Sequence, residues 1–139
     1  MSSIILAGGR GTRLGREKIS LVLAGQNLLE WQAARLSTLG GEVILVLAQE
    51  QEIPPDSLPT GVRPVHDLYP GKGPLAGIYA GLRESADRLA VVVACDMPFL
   101  NVELLRYMMS LAPGFDAVVL RPRGRIEPLH AVYSKDCLG

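Results

Sequence analysis

Short, nearly continuous apolar runs alternate along the chain with longer stretches whose apolar residues recur at intervals of three and four. Ser3 to Leu6 reads as a buried, β-branched strand. Between Asn27 and Leu39, Leu29, Ala33 and Leu36 fall on one helical face. Asn27 and Glu30 resemble a capping box there, and Gly40 follows as a C-terminal stop. Glu42 to Ala48, EVILVLA, is apolar almost throughout, as expected of a strand covered on both faces. Gln49 to Gly61 contains Pro54, Pro55 and Pro59 and predicts an irregular surface connection.

Arg63 to His66 predicts a short strand. After the loop DLYPGKG, the stretch PLAGIYAGLRES opens a helix with Pro74 at its first position. Gly77 and Gly81 lie four apart inside it, at a cost of roughly 1 kcal/mol each relative to alanine, so a packed strand or a ligand must come close. For Gly81 the expectation is packing. Leu89 to Ala94, LAVVVA, is the clearest buried strand and ends at Cys95, Asp96, Met97 and Pro98. Asn101 then caps the helix VELLRYMMSL, with Leu104, Met108 and Leu111 on one face. Asp116 to Leu120 is a further apolar run, RPRGR turns the chain, and Ile126 to Tyr133 returns beside it as a final strand. Another helix begins near Lys135. The alternation implies an α/β protein, a sheet with helices on both faces.

Composition narrows the function classes. At 139 residues, 48% hydrophobic and 20% charged, the chain is one domain's worth with a substantial core. Fourteen basic residues balance fourteen acidic ones, which leaves no global electrostatic footprint for nucleic acid or an anionic membrane. Cys95, Cys137, His66 and His130 are isolated from one another and lack the spacing of a zinc site or a disulfide framework. The first apolar run is too short for a signal peptide and no stretch reaches the length of a membrane span, so the expectation is a reduced, cytoplasmic protein.

The candidate chemistry starts between Ile4 and Lys18, where Gly8, Gly9, Gly11 and Gly15 alternate with Arg10, Arg13 and Arg16 before Lys18 closes the segment. Such a loop suits an anion, because glycines let backbone N–H groups approach a phosphate while cationic side chains compensate its charge. A tight turn with solvated arginines would have the same composition. Neither the P-loop pattern nor the dinucleotide fingerprint fits, the latter failing at Leu14. In open α/β sheets ligands sit at the carboxyl ends of the strands, which puts this loop, Asp67 and Asp96 in one group. A carboxylate directly after a fully apolar strand is costly unless it is hydrogen-bonded or holds a cation. An aspartate at a strand end commonly caps the next helix or a turn; Pro98 and Asn101 already supply a stop and a cap, and a phosphate loop on the same edge gives Asp96 the alternative task of holding Mg²⁺ against phosphate oxygens. Asp67 fits either an aspartate turn or a hydrogen bond to a base or ribose hydroxyl. Lys18 is a better phosphate ligand than Lys72, His130 reads as a packed strand residue, and no nucleophile for covalent catalysis is evident.

Leu6-Ala7-Gly8-Gly9, then Arg13-Leu14-Gly15 and Lys18, resembles the signature LAGGxxxRMGxxK of nucleotidyltransferases with the glycosyltransferase-A-like fold. GPLAGI at 73–78, ACDMPF at 94–99 and EPLHAVY at 127–133 narrow the resemblance to the molybdenum cofactor guanylyltransferases, which join GMP from GTP to molybdopterin. The resemblance implies a Rossmann-like three-layer α/β/α fold with a mostly parallel sheet. It also implies main-chain contacts from Leu6, Ala7 and Gly8 to the guanosine of GTP, with Gly9 in the same loop. Lys18 would lie on the triphosphate, Asp67 on GTP and Asp96 on Mg²⁺. Two positions depart from the family. Leu47 stands where members can carry an asparagine that contacts GTP, and Leu14 replaces methionine with little change of volume.

On this resemblance a terminal phosphate oxygen of molybdopterin attacks the α-phosphorus of GTP, and pyrophosphate leaves. Asp96 holds the metal, while Lys18 and Arg13 neutralise the β and γ phosphates. Arg121, Arg123 and Arg125 form either a contact to the anionic pterin or a solubilising turn. The expected partners are GTP and molybdopterin, with transient contact to cofactor-biosynthesis or acceptor proteins, and neither nucleic acid nor membrane. The alternatives are a related transferase using CTP or a sugar phosphate, and a non-catalytic nucleotide-binding fragment. The family continues past this point with another helix and an asparagine motif. Residues 1–139 therefore read as a single nucleotidyltransferase domain truncated at its carboxyl end.

Overall fold

Aliphatic and β-branched residues with no polar face can satisfy both sides of a strand only when layers cover them from above and below. The computed structural model shows this arrangement; it describes residues 2–6, 28–47, 61–66, 74–94, 101–120 and 127–135. Along these the order is β1 (Ser2–Leu6), α1 (Leu28–Ser37), β2 (Val43–Leu47), β3 (Val62–His66), α2 (Pro74–Glu84), β4 (Leu89–Ala94), α3 (Val102–Leu111), β5 (Ala117–Leu120) and β6 (Glu127–Ser134). Each strand and helix expected from the apolar pattern within this range is present, with ends shifted by a residue or two. The helix expected from Lys135 onward lies almost wholly outside the described residues.

The strands form one sheet in the order β3-β2-β1-β4-β6-β5. β1 pairs in parallel with β2 and β4, and β2 in parallel with β3. β6 runs antiparallel to β4 and to β5, with a register shift between Val118 and Leu120, so the final strand does return beside the one before it. Alternate residues of each strand face opposite layers. Ile5, Leu45 and Val91 pack with Ala33 and Leu36 of α1 and with Leu105 and Met108 of α3. Ile4, Ile44 and Val92 pack with Ile78 and Leu82 of α2 on the other side. The result is the three-layer α/β/α architecture with a mostly parallel sheet.

Helix ends follow their local chemistry. α1 tightens into i→i+3 bonds over its last residues, with Gly40 N–H donating to Ser37 O at 3.1 Å, and Gly40 itself adopts φ of +81°. Asn27, the expected cap at the other end of α1, lies outside the described residues. The Arg106 guanidinium of α3 donates to Thr38 O at 3.1 Å, tying the two helices of that layer together. At α3, Asn101 Oδ1 accepts from Leu104 N–H at 2.9 Å, the cap expected from sequence.

The face of α3 is a correction. Leu105 and Met108 are the buried pair, Leu104 is only partly covered, and Leu111 is 44% exposed. The run LLRYMMSL satisfies a three/four spacing from either leucine, and the sheet selects the Leu105 stripe because Ala112, next on it, tucks into the same core.

Candidate functional site at the carboxyl edge of the parallel strands

Parallel pairing brings the carboxyl ends of β1, β2, β3 and β4 to one edge of the sheet. Leu6 lies opposite Val46 on one side and Ala94 on the other, and Leu47 lies opposite His66. The connections after β1 and β3 then diverge. α1, which follows β1, covers the layer with Ile5, whereas α2, which follows β3 and leads to β4, covers the layer with Ile4. Strand order therefore reverses at β1, and the gap between the ends of β1 and β4 is the topological switch point where ligands of open α/β sheets bind.

The segments that carry the expected site residues begin at this edge. Ala7 follows Leu6 directly and opens the glycine segment with Gly8, Gly9, Arg13 and Lys18; Asp67 follows His66; Asp96 comes two residues after Ala94. Of the expected set only Leu6 lies within the described residues, where it is buried against α2. Ala7, Gly8, Gly9, Arg13, Lys18, Asp67 and Asp96 lie outside them, as do Lys72 and the arginines at 121, 123 and 125. Among the described residues no group of three or more His, Cys, Asp and Glu side chains could hold a metal ion. Nor, among them, is any helix long and apolar enough to cross a membrane.

Described residues do shape the edge. Leu47 is 1% exposed within the core beneath α1 and α3, so this side chain serves packing. A Cβ built on Gly77 would stand 3.2 Å from Leu6 Cδ2, and one on Gly81 would stand 2.7 Å from Ile4 Cγ2. Both glycines thus let α2 settle onto β1, and the close approach is packing at each. His130 is the packed strand residue expected, 4% exposed and opposite Val93 of β4. Its Nε2 faces the Asn101 N–H at 3.5 Å, a long contact just ahead of α3.

One residue at this edge escaped the sequence reading. Gln32 of α1 is fully buried, and its Nε2 donates to Ala94 O, the last carbonyl of β4, at 3.0 Å. Immobilising a glutamine costs about 1.5–2 kcal/mol of rotamer freedom, whereas a net hydrogen bond returns about 0.5–1.5 kcal/mol. Stability alone would favour an aliphatic residue here. The available signal was its place on the stripe of Ala33 and Leu36, where a helix facing a sheet ordinarily carries no amide.

Comparison with known proteins agrees with this architecture. Residues 3–139 match the family model described as MobA-like NTP transferase domain. A Pelotomaculum thermopropionicum protein named "Probable molybdenum cofactor guanylyltransferase" is 42% identical over 137 residues, covering 99% of this chain and 65% of that protein. The crystal structure of molybdopterin-guanine dinucleotide biosynthesis protein A from Archaeoglobus fulgidus superposes with a TM-score of 0.73 at 32% identity, covering 98% of this chain and 68% of that one. A Thermus thermophilus 2-C-methyl-D-erythritol 4-phosphate cytidylyltransferase shares the fold alone, with a TM-score of 0.67 at 20% identity, over 98% of this chain and 71% of that one. The chain thus spans about two thirds of the length of the relatives it matches. With its glycine segment leaving β1 at the switch point and its match running from residue 3 to residue 139, the chain belongs to the MobA-like NTP transferase domain family.

Proposed function

We propose that the protein is a nucleotidyltransferase that transfers GMP from GTP to molybdopterin. The observation that carries this reading is the in-register pairing of Leu6 with Ala94 at the switch point. It sends the glycine segment and the Asp96 segment out from neighbouring strand ends. The name of the 42% identical relative supports guanine as the base and molybdopterin as the acceptor.

In this reaction a terminal phosphate oxygen of molybdopterin bonds to the α-phosphorus of GTP, the α–β anhydride bond breaks, and pyrophosphate departs with its electron pair. The attacking oxygen is already anionic near neutral pH, so no strong general base is required. Leu6, Ala7, Gly8 and Gly9 supply main-chain groups to the guanosine side, with Asp67 as a further GTP contact. Lys18 and Arg13 hold the β and γ phosphates in line. Asp96 with phosphate oxygens makes an all-oxygen donor set, the kind that Mg²⁺ takes while keeping waters and few protein ligands. Bound there, Mg²⁺ supplies charge neutralisation on the phosphates. The reaction belongs to the cytoplasm, with molybdenum cofactor biosynthesis or acceptor proteins as transient partners.

Thermal shifts with GTP, CTP, ATP and UTP, each with Mg²⁺, test the base. At a hundredfold excess over Kd a specific nucleotide adds about 2.7 kcal/mol of stability, and GTP is expected to be the one that does so. A larger shift with CTP would replace the guanylyl reading with a cytidylyl one. Pyrophosphate release should require molybdopterin and vanish in Asp96→Ala; release at the wild-type rate in that variant would remove Asp96 from the metal.

A further inference from the structure

The register between β4 and β6 runs from Leu89 opposite Ser134 to Val93 opposite His130, and Ala94 is the first β4 residue beyond it. Ala94 is the last residue of β4 and lies opposite Leu6 of β1. At this point the fully buried Gln32 amide reaches across from α1 and donates to the Ala94 carbonyl at 3.0 Å. The chain then has one residue, Cys95, before Asp96.

We propose that Gln32 is a positioning residue for Asp96: by holding the last carbonyl of β4 it anchors the backbone from which Asp96, two residues on, departs. This rests on Asp96 holding the divalent cation, as in the reading above. Gln32 does not touch the reacting atoms, and its effect passes through the backbone of Ala94. α1 comes after the glycine segment in the chain, and its buried amide holds the last carbonyl of the strand that leads to Asp96.

The test is Gln32→Met in the otherwise unaltered protein, which keeps the volume and removes the donor. Mn²⁺ affinity is read by electron paramagnetic resonance with a GTP analogue methylene-bridged between the α and β phosphates, beside kcat, the KM for GTP and the melting temperature. A misplacement of about 1 Å caused from outside the chemistry can cost about 100-fold, and both Mn²⁺ affinity and kcat are expected to fall by about 10–100-fold. The KM for GTP should stay within about twofold, because the phosphate and guanosine contacts are made elsewhere. Mn²⁺ affinity and kcat equal to wild type in a folded variant would overturn the proposal. So would losses that disappear when the assay temperature is lowered, since those report stability alone. If Gln32→Met does not fold, Gln32→Asn, which keeps the amide but withdraws it by one methylene, takes its place with the same expectations. Wild-type protein that binds no Mn²⁺ with the analogue would refute the metal reading itself, an outcome separate from a working wild type with an unaffected variant.

Discussion

Gly81 sits over a part of β1 that cannot yield. A Cβ there would stand 2.7 Å from Ile4 Cγ2 and 2.9 Å from Cδ1, and Ile4 is fully buried with a stiff β-branch. Alanine would gain about 1 kcal/mol of helix propensity, but overpacking a closed core costs about 1–3 kcal/mol. With the contact falling on the rigid branch, overpacking wins, and Gly81→Ala is expected to lose about 1–2 kcal/mol in urea unfolding. Gly77 faces the far end of Leu6 at 3.2 Å, a side chain that can move aside, so Gly77→Ala should stay within about 0.5 kcal/mol of wild type. Equal losses in the two variants would refute this difference. At this scale the sequence was informative about need and silent about partner. Two glycines inside a helix announce a close neighbour, but only the layer assignment shows that Ile4 and Leu6 are what they meet. Gln32 escaped because helical periodicity scores an amide on an apolar stripe as an imperfection, and the Ala94 carbonyl that gives it a task lies 62 residues away.

Among the elements, α3 shows what a local signal can and cannot specify. Its start was legible because Asn101 caps through its own neighbourhood, accepting from Leu104 N–H three residues on. Removing that acceptor should cost about 1 kcal/mol, so Asn101→Ala is expected to lower the urea midpoint with an unchanged m-value. A changed m-value would mean that α3 detaches, and an unchanged midpoint that the cap contributes nothing. The buried face of α3 was not legible, because LLRYMMSL offers two stripes of equal spacing and the choice belongs to the sheet beneath. The same division holds for the strands. LAVVVA and EVILVLA declare burial on both sides by having no polar alternation, whereas the order β3-β2-β1-β4-β6-β5 depends on which edges meet, information carried by no single run. Family motifs, unlike periodicity, propose a grouping of Lys18, Asp67 and Asp96 across the chain, and these three lie outside the described residues.

The whole molecule is polarised between two edges of one sheet. At the amino edge, Glu42 accepts from Ala86 N–H at 2.9 Å and pairs with Arg63 at 3.3 Å, while Arg63 also donates to Glu84 O at 2.7 Å. Ser2 Oγ donates to Asp87 Oδ2 at 3.0 Å beside them. These contacts join the beginnings of β1, β2 and β3 to the end of α2, and they have no part in the carboxyl edge. Five-residue strands at about 3.3 Å per residue separate the two edges by about 13 Å, beyond the Debye length at physiological salt. Stability at one end and ligand binding at the other should therefore vary independently. Glu42→Ala loses a charge-assisted bond to Ala86 and a half-exposed ion pair, about 1–2 kcal/mol together, and is expected to melt several degrees lower without ligand. Its further rise on adding GTP and Mg²⁺ should equal that of wild type. Lys18→Ala is expected to show the reverse, an unchanged melting temperature without ligand and a reduced nucleotide-induced rise. Six melts, wild type and each variant with and without GTP and Mg²⁺, decide the matter. If Glu42→Ala also diminished the nucleotide response, the amino-edge contacts would be coupled to the site through the strands, and the sheet would be transmitting strain along its length instead of isolating its two ends.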